Sequence, residues 1–269
     1  MERNIEVYKN KTVKYNINYF FEEMKFFTDK TVENEYLLIK IKDYVRLREK
    51  GYNFSKKKEV LIDPGVYELK KSNEYSWEDS INISEFLDSL PENHYFSWDY
   101  PCDMNPQYQD LFLEKTWENT QKYYYHPNYI ITVQSKFNNY WNFVEWFDKY
   151  NALNIKSGIM GLGNMCRFRT LNQYFKHSLD YAFSHCNHQR IHIYGLCLKA
   201  IPYAYNLANK FNIELSVDST KWTRSVSSNL RKKYNNLAGC RKNNRQDYFN
   251  EYLKEIKKRG VQIENDITN

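Results

Sequence analysis

The sequence predicts an α/β chain whose parallel strands close into a (β/α)8, TIM-type barrel, irregular at its ends and continued by a basic C-terminal extension. Three observations carry that expectation. Short apolar, β-branched or aromatic runs alternate with stretches whose apolar residues recur three and four apart. The ends of successive runs fall 36, 35, 27, 34 and 23 residues apart, close to the roughly 30 or more residues of a strand–helix–strand unit. Each run also ends on Asp, Gln or Gly rather than on another apolar residue.

In chain order, residues 1–58 read as mostly helical, with amphipathic stretches at Tyr15–Asp29 and Glu33–Arg48 that carry few caps. Strands are expected at Val60–Asp63, Tyr95–Asp99, Tyr129–Gln134, Ser157–Gly161, Arg190–Gly195 and Ile213–Asp218. Helices are expected between and after them, at Ile83–Leu90, Tyr108–Tyr124, Trp141–Tyr150, Leu171–His185, Ala200–Phe211 and Gln246–Arg259. One strand from the N-terminal region and another at Val261–Ile263 would complete eight. The segment Leu230–Gln246, rich in Lys, Arg and Asn, reads as a basic loop.

A chain of 269 residues, 42% hydrophobic and 17% aromatic, is sized for one domain with a large core. The expected organisation is a single domain over 1–269, its motif-bearing core at 58–225 and its basic C-terminal segment at 226–269. No apolar run approaches the roughly 20 residues that span a bilayer, and the first residues lack the apolar centre of a signal peptide. A cytoplasmic setting without a membrane partner is the expectation.

Charge is distributed unevenly. Residues 219–269 hold 12 Lys and Arg against 5 Asp and Glu, whereas residues 1–218 hold 27 against 28. Between Ser219 and Gln246 stand Lys221, Arg224, Arg231, Lys232, Lys233, Arg241, Lys242 and Arg245, with no acid among them. That run suits contact with nucleic-acid phosphates, and equally suits a solvated face. The five cysteines are scattered without a C-x-x-C pair, which argues against a disulfide framework and a zinc knuckle. His185, Cys186 and His188 share one short loop, where capping is the commoner role, and no metal is expected there.

In a parallel barrel the C-terminal strand ends form the catalytic face. The residues there would be Asp63, Asp99, Gln134, Gly161, Gly163, Gly195 and Asp218. Taken singly, each Asp equally suits capping of the helix that follows, each glycine an ordinary turn, and Gln134 a satisfied core amide. Together they offer a chemistry. One carboxylate attacks an anomeric carbon, a second moves protons to and from the exchanged groups, and a third accepts the N1 and N2 protons of guanine. An amide or a backbone N–H meets O6.

These residues fall in a sequence of motifs: Val60-Leu-Ile-Asp63-Pro-Gly65-Val-Tyr-Glu, Trp98-Asp99-Tyr-Pro, Val133-Gln134-Ser, Gly158-Ile-Met-Gly161-Leu-Gly163, His192-Ile-Tyr-Gly195-Leu and Ser216-Val-Asp218-Ser-Thr. In that order they resemble the motifs of tRNA-guanine transglycosylases. The Asp99-Tyr-Pro-Cys102, Gly163-Asn-Met-Cys166-Arg167 and Ser216-to-Trp222 strings resemble most the DpdA branch, which inserts 7-deazaguanines into DNA. The likeness covers about residues 58–225. It implies Asp218 as nucleophile on C1′, Asp63 as general acid/base and Asp99 as reader of the N1 and N2 edge. Gln134 would assist at O6, and Gly161, Leu162, Gly163, Gly195 and Leu196 would form pocket walls and backbone contacts.

The chain departs from the family in two places. Asp63-Pro64-Gly65-Val66-Tyr67 replaces the usual Asp-Ser-Gly-Gly-Phe, so Tyr67 either stacks on the base or fills core. The cysteines and histidine of the family's C-terminal zinc site have no counterpart, since Cys240 stands alone. DNA is therefore expected over tRNA, held by Arg224, Arg231, Lys232, Lys233, Arg241, Lys242 and Arg245, with a free 7-deazaguanine of the preQ0 or preQ1 kind as co-substrate. No zinc or other cofactor is expected. Trp222, just past the nucleophile, would wedge beside a flipped base or pack in the core. Accessory DNA-modification proteins are the further partners the resemblance implies. Rival expectations are a transglycosylase acting on tRNA, a non-catalytic nucleic-acid-binding barrel, and a glycoside hydrolase using Asp63 and Asp218.

Overall fold

The computed structural model describes residues 18–22, 35–65, 81–102, 106–165, 168, 172–218 and 245–263. The fold is α/β, built on a parallel sheet. Its strands are β1 (Asn18–Glu22), β2 (Tyr36–Lys40), β3 (Glu59–Asp63), β4 (His94–Phe96), β5 (Ile131–Val133), β6 (Ile159–Leu162), β7 (Arg190–Ile193) and β8 (Glu214–Asp218). They lie in the order β4-β3-β2-β1-β8-β7-β6-β5, every paired neighbour parallel. An isolated parallel bridge joins Phe96 of β4 to Tyr129, just ahead of β5, through Phe96 N–H to Asn128 O at 2.8 Å and Ile130 N–H to Phe96 O at 2.9 Å.

Helices follow most strands: α1 (Ile41–Glu49), α2 (Ile83–Asp88), α3 (Gln109–Tyr123), α4 (Tyr140–Asn151), α5 (Gln173–His185), α6 (Ile201–Phe211) and α7 (Arg245–Lys257). Local sequence explains their starts. Asn82, Asn139 and Asn172 each turn a side-chain oxygen to the backbone N–H three residues on, satisfying an otherwise orphaned donor. Pro202 opens α6, and Asn212 closes it in the left-handed region at φ 61°.

The sheet's two faces bury different chemistry, because alternate strand residues point opposite ways. Leu37 and Ile39, Val60 and Ile62, Ile191 and Ile193, Leu215 and Val217 join the large core shared with the helices. The other face holds a small apolar cluster of Tyr36, Leu38, Leu61, Ile130 and Ile159, with Tyr95 and Tyr194 against it. Among the described side chains its remaining positions are polar or glycine. At the strand starts on this face Arg190 of β7 donates to Glu59 of β3, one contact at 2.8 Å, and to Glu214 of β8 at 3.3 Å. β3 and β7 stand four places apart in the strand order, about 19 Å on a flat sheet at strand spacing of about 4.8 Å. Two side chains do not span that distance, so the sheet curls strongly around its polar face.

The six strands expected from the sequence are present, mostly trimmed by one to three residues at an end. Over the described N-terminal residues the mostly helical expectation is met only in part. Tyr15–Asp29 contains β1, and Glu33–Arg48 divides into β2 and α1. The run Tyr36-Leu-Leu-Ile is apolar without a gap, and periodicity does not separate such a strand from a buried helical turn; here all four residues are buried, as in a strand covered on both faces. Val261–Ile263 is not among the eight strands; Val261 and Ile263 pack in the helix-side core after α7. Among the described residues no helix is long and apolar enough to cross a membrane.

Candidate active site

The residues expected to carry chemistry sit on the polar face of the sheet, at the C-terminal ends of the strands. Parity places them there. Glu59, Leu61 and Asp63 share one face of β3, and Glu214, Ser216 and Asp218 the same face of β8, while the residues between enter the helix-side core.

Asp218, at 2% exposure, closes β8. Its Oδ1 accepts from His192 Nε2 at 3.1 Å and from the backbone N–H of Gly195 at 3.1 Å. Gly195 presents that N–H from φ 65°, a conformation that favours glycine. His192 is fully buried, and its Nδ1 lies 2.9 Å from the Ser216 hydroxyl. Burial, reinforced by the Arg190 charge, pushes His192 down to about 3, so its ring is neutral. The network then assigns the tautomer: Nε2–H donates to Asp218, and Nδ1 accepts from Ser216. Ser216 and His192 thereby hold the Asp218 carboxylate in one orientation.

A second group surrounds Asp99. Its Oδ2 accepts from Gln134 Nε2 at 2.6 Å, and its Oδ1 from the Ser97 hydroxyl at 3.0 Å. Burial, and then the negative charge of Asp63, raise its carboxyl to about 7, against the favourable pull of the two donors. Gln134 is buried, and its Oε1 has no partner among the described residues. A Cβ at Gly163 would overlap the Gln134 amide, so the glycine leaves the space that amide fills. At Gly161 a Cβ would meet the Tyr194 ring at 2.7 Å and Thr132 Oγ1 at 2.9 Å. Asp63 closes β3, and its Oδ1 accepts from Gly65 N–H at 2.6 Å, turning the chain at φ 74°.

Tyr194 links the two groups. Its ring meets His192 edge to face, with centroids 4.5 Å apart. Its hydroxyl lies by Ser97 and Thr132 and feels the charges of Asp99 and Asp63, which with burial raise it far above the ordinary phenol value. Asp63, Asp99, Gln134, Gly161, Gly163, Gly195 and Asp218 thus belong to one connected set.

Two residues expected in the pocket are placed otherwise. The side chains of Leu162 and Leu196 are fully buried in the helix-side core, and the Leu162 carbonyl already accepts from Tyr194 N–H at 3.2 Å. Both are apolar, and strand parity sends Leu162 away from the polar face. Tyr67, Arg224, Arg231, Lys232, Lys233, Arg241 and Lys242, together with Trp222, lie outside the described residues; Arg245 begins α7, and its side chain also lies outside them. His185 stacks on Tyr181 at 4.1 Å, while Cys186 Sγ accepts from His188 N–H. Among the described residues no group of three His, Cys, Asp or Glu is placed to hold a metal ion.

Sequence reasoning missed His192, Ser216, Ser97 and Tyr194. A signal was present: His192 and Ser216 stand on the inward parity of Asp218 in their strands, where an apolar residue would be usual. Comparison with known proteins assigns no family: no family model matches the chain, and no curated protein matches it either.

Proposed function

We propose that this chain is a base-exchange glycosyltransferase that replaces guanine in DNA with a free 7-deazaguanine through a covalent Asp218–nucleotide intermediate, on a (β/α)8 barrel closed between β4 and β5. The bridge between Phe96 and Tyr129 and the Glu59–Arg190 pair across the polar face support that closure. One observation carries the functional reading: three acids distant in sequence, Asp63, Asp99 and Asp218, end up on one face at the strand ends and are tied together through Tyr194, His192 and Gln134.

Each acid takes a separate role. The Asp218 carboxylate, held by His192 and Gly195, attacks C1′ of the target nucleotide, and the N-glycosidic bond breaks with its electron pair moving to the departing guanine. Asp63 supplies a proton to that base and removes one from the incoming deazaguanine, whose ring nitrogen then displaces Asp218 from C1′. Asp99, with Gln134 on its Oδ2, accepts from the N1 and N2 protons. No redox step and no nucleoside triphosphate enter, because one N-glycosidic bond is exchanged for another. A guanine in duplex must first be flipped out of the stack, at a cost of a few kcal/mol.

The test is label release. DNA or tRNA carrying labelled guanine is incubated with the protein and a candidate deazaguanine, and free label is measured for the native chain and Asp218→Ala. Release from DNA, lost in the variant by about 10³-fold or more, is expected. Release from tRNA alone would transfer the reading to tRNA, and equal release by Asp218→Ala would remove the covalent mechanism.

A further inference from the structure

Four large hydrophobic side chains among the described residues are exposed: Tyr108 at 44%, Leu111 at 49%, Tyr125 at 60% and Trp141 at 76%. Scattered singly, such residues need no explanation. Three of these are not scattered. Tyr108 and Leu111 flank the start of α3, and Trp141 is the second residue of α4. A helix that follows a parallel strand begins beside that strand's C-terminal end, so all three stand on the face that carries Asp99 and Gln134. Tyr125, past the end of α3, belongs to the opposite face.

Contacts tie these positions to the site and to one another. Tyr100, next to Asp99, stacks on Phe112 at 5.7 Å, and Phe112 meets Tyr108 at 6.0 Å. Lys136, two residues past Gln134, pairs with Asp110 of α3 at 2.6 Å, and its backbone N–H donates to Asn142 of α4 at 2.8 Å. The two helix starts are therefore neighbours. Trp141 packs edge to face with Tyr140, which in turn meets His177 of α5.

Resting on the base-exchange reading, we infer that this aromatic rim is where the strand carrying the target nucleotide lies, its unpaired neighbouring bases stacked on Trp141 and Tyr108. Charge is balanced here, so the rim offers ring faces and no cluster of cations for phosphates. Asp110, its side chain 80% exposed, and Glu114, also exposed, stand on the same turns of α3 as Lys115, which lies 5.3 Å from the Tyr100 ring. Lys136 pairs with Asp110. The phosphates have their own counterpart, the acid-free basic run that follows Asp218 in the sequence. Exposed aromatic rings on which successive bases stack are a recurrent, sequence-tolerant platform for single-stranded nucleic acid.

Binding is measured apart from exchange. The full chain and its Trp141→Ala, Tyr108→Ala and Tyr125→Ala variants are titrated into a fluorescent single-stranded oligodeoxynucleotide with one central guanine, and into its duplex, with anisotropy as readout. Free guanine is titrated in parallel by calorimetry. The native chain should prefer the single strand. Trp141→Ala should weaken single-strand binding roughly tenfold, the loss of one stacked base, and Tyr108→Ala by less. Duplex binding should change little, and free-guanine binding and the Tyr125→Ala titrations should match the native chain. Native affinity in Trp141→Ala would overturn the rim, assign this surface to a partner of another kind, and leave base exchange standing. Equal loss of oligonucleotide and free guanine would also overturn it, as damage to the site itself. Failure of the native chain to bind either DNA form would sink base exchange in DNA together with the rim.

Discussion

At the level of single residues, the protonation of Asp99 changes near neutral pH. Its carboxyl is raised to about 7 by burial and by Asp63. On the base-exchange reading, accepting the N1 and N2 protons of guanine requires the carboxylate, so affinity for free guanine should climb between pH 6 and 8 and then level off. Asp99→Asn should bind weakly at every pH, and a calorimetric titration series reads both outcomes; a pH-independent affinity in the native chain would remove Asp99 as the reader. Asp99 itself was visible as a strand-end acid, but its coupling was not. Nothing in the string Trp98-Asp99-Tyr-Pro shows that Gln134, 35 residues on, donates to it, because that contact depends on β4 and the β5 end standing side by side. His192 was hidden for a related reason: its role exists only once β7 and β8 pair in register and set it against Ser216 and Asp218.

Among the elements, the ion pair between β3 and β7 invites a direct test of how the polar face is held. Glu59 and Arg190 are 8% and 7% exposed. Removing one partner leaves the other charge buried and alone. Arg190→Met should therefore cost about 3–5 kcal/mol, read as a lower urea midpoint, whereas Glu59→Met with Arg190→Met should recover much of the loss. Equal midpoints for the single and double variants would show that the pair is not coupled. The strands most legible in sequence were those with a polar residue or glycine closing a short run, such as Glu59–Asp63 and Glu214–Asp218. β2 was not legible, because an unbroken Tyr-Leu-Leu-Ile leads without a turn residue into Ile41 at the start of α1. The strand ends at that junction through backbone geometry at Lys40 and not through a recognisable breaker.

For the molecule as a whole, buried histidines set the response to acid. Burial pushes His94 and His188 down to about 4 and His192 to about 3, against 6.5 for a free imidazole. Their folded values lie below the unfolded one, so their full contribution is present above pH 6.5 and is lost as pH falls from there toward 4 and 3. Each costs about 1.4 kcal/mol per pH unit within that window. Asp99 acts in the opposite sense, since its raised carboxyl favours the folded state below 3.8 and loses that contribution as pH rises through about 7. Three histidines outweigh one carboxyl, so the urea midpoint should fall from pH 6 to 4.5, and fall more steeply in Asp99→Asn. A midpoint that holds constant over that range would contradict the burial of these three rings.

The strand order has a consequence for synthesis. β1 lies between β2 and β8, so of the described strands the one made first waits for the one made last before its second edge is covered. Asp218 is the final residue of that last strand. On the base-exchange reading proposed above, a nascent chain with Asp63, Asp99 and Gln134 already made still lacks its nucleophile, which arrives only with β8.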